Sequence, residues 1–139
     1  MISRVLALRL REVGLVWRPA TGDRFQLLTQ DMESTGTDAF TVSDMTIEAH
    51  AFPSGTVLGF NGTTEWALDS IAIDDALWLP REDQLREALK GTFERLERDD
   101  GEGGWRVTCT FRGERMSHLA DTPADAYALA VLAEVQAAV

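Results

Sequence analysis

Residues 40–68 read FTVSDMTIEAHAFPSGTVLGFNGTTEWAL, and this stretch decides the fold because local chemistry alone spells out consecutive paired strands. Asp44, Thr46, Glu48 and His50 alternate with Met45, Ile47 and Ala49, the two-residue period of a strand with one buried and one wet face. Phe52-Pro53-Ser54-Gly55 supplies a turn, since proline presets φ at its second position and glycine closes it. Residues 56–60 then run back to Asn61-Gly62, a pair suited to a type I′ turn because both central residues need positive φ. With Asn61 and Gly62 as the loop, Phe60 opposes Thr63, Leu58 opposes Glu65 and Val57 opposes Trp66. The expected unit is a three-strand antiparallel meander with Trp66 packed on Val57.

Toward the C-terminus, residues 71–75 lead through Trp78 into Leu79-Pro80-Arg81-Glu82-Asp83, where proline suits a first helical turn and the acids suit its dipole. Leu85 and Leu89 mark the inner face of that helix and Gly91 its expected end. Residues 93–98 and 105–111 read as strands about a turn over 99–104, with Trp105, Val107, Cys109 and Phe111 alternating against polar neighbours. A tight turn at Arg112-Gly113 opposes Cys109 to Met116 and Val107 to His118. The last helix opens at Asp121-Thr122-Pro123-Ala124-Asp125, with capping side chains and proline in its first turn.

Toward the N-terminus, residues 31–38 are polar and read as an exposed loop. Residues 15–17 and 25–28 are brief extended pieces. Ser3 caps a first helix whose face carries Leu6, Leu10 and Val13, with Gly14 at the left-handed stop. The fold class is therefore α+β in a single domain of residues 1–139. Its order is α-(β)-βββ-α-βββ-α, two antiparallel three-strand meanders with helices at the N-terminus, the centre and the C-terminus.

At 139 residues and 45% hydrophobic, the chain can bury a core without staples. A formal charge of −10 argues against nucleic acid and anionic membranes as partners, because binding there begins with cationic side chains. The charge is uneven: residues 1–30 hold five arginines against Glu12 and Asp23, a net of +3 that neutralises part of an acidic body. Cys109 is the sole cysteine, which rules out an intrachain disulfide and points to the cytoplasm. Arg4, Arg9, Arg11 and Glu12 interrupt any signal-peptide core or membrane span at the start of the sequence.

The segments GFNGTTEWALDS, ALWLPREDQLRE and GGWRV resemble those of a small uncharacterised bacterial protein family, across nearly the whole chain. Members of that family carry the label pilus assembly protein CpaE, which implies an ATPase. A phosphate-binding loop needs glycine-rich backbone donors and a lysine before Ser or Thr, whereas the sole lysine sits in Leu89-Lys90-Gly91-Thr92 without the upstream glycine. In element order, residues 80–138 are similar to the double-stranded RNA-binding domain, and the whole chain to the type III secretion chaperones, which act as dimers. The net negative charge opposes the RNA-binding function, and these likenesses concern architecture alone.

Candidate chemistry is sparse. Glu48 and His50 lie two apart on a strand, with Asp44 further along the same face, so an acid/base pair or half a metal site can be drawn from them in a small hydrolase-like or metal-dependent enzyme. A wet strand face explains the same alternation. His118 and Cys109 lie on the apolar face of their strands and read as core. Trp66 and Trp78 flank the acidic run of Asp69, Asp74 and Asp75, which sketches a pocket with aromatic walls and a carboxylate rim for a cationic or peptide ligand. The last helix carries a second small-residue arc, Ala126, Leu129, Ala130, Ala133 and Ala137, opposite its core face, and that arc is the expected docking face for a second subunit or a partner. The reading these features favour is a non-catalytic protein-interaction module, chaperone-like or regulatory, with a protein partner or a homodimer and with no cofactor or metal.

Overall fold

The computed structural model of the chain describes residues 1–28, 39–42, 47–52, 55–60 and 70–138, with the backbone alone for 47–52, 55–60, 70 and 71. In chain order the elements are α1 (Arg4–Glu12), β1 (Arg24–Leu27), β2 (Phe40–Thr41), β3 (Ile47–Phe52), β4 (Gly55–Phe60), β5 (Ser70–Ala72), β6 (Ala76–Leu79), α2 (Glu82–Leu89), β7 (Phe93–Arg98), β8 (Trp105–Phe111), β9 (Glu114–Ala120) and α3 (Pro123–Ala137). The fold is α+β in the expected order, with helices at both ends and the centre and with β3-β4-β5 and β7-β8-β9 as antiparallel meanders. A third sheet, β2-β1-β6, joins the extended piece expected at 25–28 to Phe40–Thr41 and to the strand that carries Trp78, whereas residues 15–17 form no strand. Contacts gather the chain into two compact units, Met1–Leu15 with Pro80–Val139, and Val16–Leu79.

In the first unit, Ser3 caps α1 by accepting from the Leu6 N–H, and Gly14 takes φ +96° just past its end, as expected of a left-handed stop. Pro80 lies one residue before the N-cap Arg81, and the backbone N–H of Arg81 donates to Gln84 Oε1 at 2.9 Å. The helix stops at Leu89, earlier than Gly91, and Lys90 takes the positive φ of 57°. Thr92 fixes that turn by donating its hydroxyl to the Leu89 carbonyl at 2.8 Å. The β8-β9 hairpin has the expected register, Cys109 opposite Met116 and Val107 opposite His118, around Arg112 and Gly113 at φ 53° and 80°.

α3 begins as its sequence dictates, with Thr122 Oγ1 accepting from the Asp125 N–H and Pro123 in the first turn. Of the core face expected from Ala124, Tyr127, Ala128, Val131, Leu132, Val135 and Val139, the first five are buried, Val135 is half-buried and Val139 lies outside the described residues. Ala126 and Ala130 are fully buried as well, which corrects the expectation that their arc is free for a partner. α3 packs on α1, α2, β8 and β9, and a helix apolar all round is one enclosed by its own chain. Only Leu129, Ala133 and Ala137 of that arc keep solvent exposure.

In the second unit, Phe25, Val42 and Ala76 form a buried cluster against which Trp17 and Phe40 pack. The buried Asp23 organises the preceding loop: its Oδ2 accepts from the Trp17 indole N–H at 2.9 Å and from the Ala20 N–H at 3.0 Å. β3 and β4 pair from Ile47 with Phe60 to Phe52 with Gly55, and residues 53 and 54 lie outside the described residues. The third strand of this meander differs from expectation. Val57 pairs with Ala72 and Leu58 with Ile71, so these positions are not opposite Trp66 and Glu65. The Asn-Gly turn and Trp66 lie outside the described residues.

Candidate functional site

The most fully built polar constellation lies on the β7-β8-β9 sheet of the first unit. Strand alternation sends Val107 and Cys109 to the inner, helix-covered face, where both are buried, and sends Arg106, Thr108 and Thr110 to the outer one. Register places Arg95 opposite Thr108, Arg115 opposite Thr110 and Ser117 opposite Thr108 on that outer face.

These side chains hold one another. Arg106 pairs through Nη2 with the Asp99 carboxylate and donates from Nη1 to Ser117 Oγ at 3.2 Å. Asp99 also accepts from the backbone N–H groups of Gly101 and Glu102, at 2.9 and 3.0 Å, which shapes the β7-β8 turn as an Asx turn. Those bonds, that of Glu102 foremost and then the Arg106 guanidinium, hold the Asp99 carboxyl below its ordinary range. Glu94 accepts from the Thr110 hydroxyl at 2.5 Å and sits 3.3 Å from Arg115 Nε, and the Thr110 bond leads in lowering its pKa. Arg95 Nε lies 3.2 Å from Glu97 Oε1. The result is an open sheet face whose three arginines are each oriented by a carboxylate, with the buried Thr108 at its centre. Exposed ion pairs contribute about 0–1 kcal/mol each, so their effect here is on orientation more than on stability.

The groups with potential reactivity lie on the other face. Burial pushes the Cys109 thiol up to about 11, with the Glu134 carboxylate acting in the same direction, so the thiolate needed of a nucleophile is suppressed. Burial also lowers the pKa of the half-buried His118. Both stand where core was expected.

The remaining predicted site residues are dispersed. Glu48 and His50 occupy alternate positions of β3, opposite Gly59 and Val57, and so share a face of that strand. Asp44, Trp66 and Asp69 lie outside the described residues. Asp74 and Asp75 are exposed in a single 3-10 turn, Ile73–Asp75. Trp78 is stacked on Trp17, with ring centroids 6.5 Å apart and planes 8° apart, so one wall of the pocket drawn around it is filled by the chain's own indole. Among the described residues no group of three or more His, Cys, Asp or Glu is placed to hold a metal ion. No described helix is long and apolar enough to cross a membrane.

The outer-face network went unnamed in the sequence reading although its signal was present. The alternation that marks Val107 and Cys109 as buried also marks Arg106, Thr108 and Thr110 as their outward counterparts. Comparison of the chain with protein-family models, with curated proteins and with solved structures gives no match.

Proposed function

We propose that this chain is a non-catalytic protein-interaction module that takes a protein partner on the outer face of β7, β8 and β9. The observation that carries this reading is the set of carboxylate contacts that orients Arg106 and Arg115 across strands and Arg95 within its own strand on an open sheet face. Arginine is enriched at protein interfaces, and side chains already ordered before binding lose less freedom on association. A protein surface fits better than nucleic acid, because each arginine already faces a carboxylate and the chain carries a formal charge of −10. The other docking element drawn from sequence, α3, supports a partner less well, since Ala126 and Ala130 are enclosed by the fold. The buried, unpaired thiol of Cys109 is compatible with a reducing compartment such as the cytoplasm.

The test is retention of host proteins on the immobilised chain, comparing wild type with Arg106→Ala and Arg115→Ala. A partner held by the wild type and lost from both variants, with their thermal midpoints little changed, supports the face. A partner held equally by all three places docking elsewhere, and no specific partner at all removes the reading.

A further inference from the structure

We propose that β7 is the surface through which two copies of this chain pair, edge to edge and antiparallel. This goes beyond the sheet-face reading and does not depend on it, because a strand edge can pair whether or not the face takes a partner.

β7 is an end strand in the order β7-β8-β9, so among the described residues one side of its backbone has no ladder neighbour. Glu94, Arg95, Glu97 and Arg98 are exposed along it, with Leu96 half-buried between them. An open edge is a template for another strand, and proteins ordinarily block such edges with charges that a second copy would meet as like against like.

The charges on this edge do something more selective. Glu94-Arg95-Leu96-Glu97-Arg98 is its own complement when read in reverse. About a two-fold axis through Leu96, Arg95 stands opposite Glu97 of the second copy, and Glu97 opposite its Arg95. Leu96 meets Leu96, while Glu94 and Arg98 stand opposite in register but on different faces, because the bulge turns Glu94 toward Thr110 and Arg98 lies by Trp105. A slip of one residue in one direction sets Glu94 against Glu97, and in the other sets Arg95 against Arg98. A parallel arrangement sets every charge against its own kind. Opposite charges directly across strands stabilise a pairing and like charges oppose it, so the pattern admits one register and rejects its neighbours.

The geometry identifies the central residues as the determinant. Arg95 and Glu97 lie two apart on one face and already approach to 3.2 Å within the strand, so each can exchange its partner for the second copy's without moving to another face. Glu94 sits at the bulge between Phe93 and Arg95 and is engaged by Thr110 and Arg115, while Arg98 lies 5.7 Å from the Trp105 ring, which leaves the outer pair secondary. The product is a continuous six-strand sheet in the order β9-β8-β7-β7-β8-β9.

Sedimentation equilibrium on the full chain tests this. The wild type is expected at twice the mass of the chain. Arg95→Glu alone and Glu97→Arg alone place like charges across the axis, and each is expected to raise the dissociation constant at least about tenfold. Two further samples make the test specific: an equal mixture of the two single variants recovers the dimer, because each supplies the charge the other needs, and the double variant Arg95→Glu/Glu97→Arg recovers it alone. Circular dichroism confirms that every variant is folded. A wild type that stays monomeric up to about 100 µM, roughly a hundredfold above a micromolar dissociation constant, overturns the proposal. So does a dimer that survives both single reversals, or a mixture that fails to recover one.

Discussion

The carboxylate of Asp125, in the first turn of α3, accepts the backbone N–H of Ser3 at 2.7 Å across 122 positions of sequence. Ser3 in turn caps α1 through its side chain, so one carboxylate fixes where another helix begins. Asp125→Ala is expected to destabilise by about 1.5–3 kcal/mol, the range for a hydrogen bond to a charged group. Asp125→Asn, which keeps an acceptor, is expected to lose less. Urea denaturation of both variants measures the difference; an Asn variant as stable as wild type would show that the charge adds nothing to the bond, and equal losses for the two would show that a neutral acceptor does not replace it.

Ala126 and Ala130 are enclosed at 0% exposure, so a larger side chain at either has nowhere to go. Ala130→Leu is expected to cost about 1–3 kcal/mol through overpacking. A variant with unchanged stability would return this arc to the surface. Leu129→Glu falls on the half-exposed strip beside it and is expected to cost less than Ala130→Leu in the same denaturation series.

Gly104 closes the β7-β8 turn at φ +99°, and a Cβ added there would stand 2.5 Å from the Ala120 carbonyl oxygen. Both the backbone conformation and the approach of that carbonyl oppose a side chain. Gly104→Ala is expected to lower stability by at least about 2 kcal/mol. Gly113→Ala, at φ +80° with open space around it, carries the conformational cost alone and is expected to lose less.

Two inner-face groups give pH-dependent readouts. With its pKa near 11, Cys109 is expected to resist alkylation at pH 8 in the folded chain and to react once urea unfolds it, as followed by mass spectrometry. His118 has a folded pKa below its ordinary 6.5, so between those two values the unfolded chain binds more protons. Stability contributed by neutral His118 is therefore full above about 6.5 and falls as pH drops toward the folded value. His118→Gln is expected to flatten the stability profile in that window. An unchanged slope would assign it to other groups.

Where a local rule fixed the outcome, the sequence was legible. Ser3, Thr122 and Pro123 start their helices as capping chemistry requires, and the Arg112-Gly113 turn sets the register of β8 and β9 to the residue. Pattern failed where the competitor was distant. No periodicity shows that Arg24 pairs with Leu79, since the contact is made between segments 55 positions apart. α3 has no polar side to mark a solvent face, and its small residues read equally well as a surface for another molecule and as a seat for the chain's own helices. The outer-face network combines side chains from three strands and the turn at Asp99, so it emerges only after the register is known.

The pairing of β1 with β6 also bears on how the chain assembles during synthesis. α1 is made more than a hundred residues before its tether in α3. The inserted segment is continuous in sequence and can fold in the interval, as contiguous units commonly do during translation. Once Arg24 has met Leu79, the length of free chain separating the first helix from the second falls from the whole insertion to its short flanks. Loop closure costs less entropy for a shorter loop, so the early-folding insert acts as a splice that brings the two halves of its host within reach.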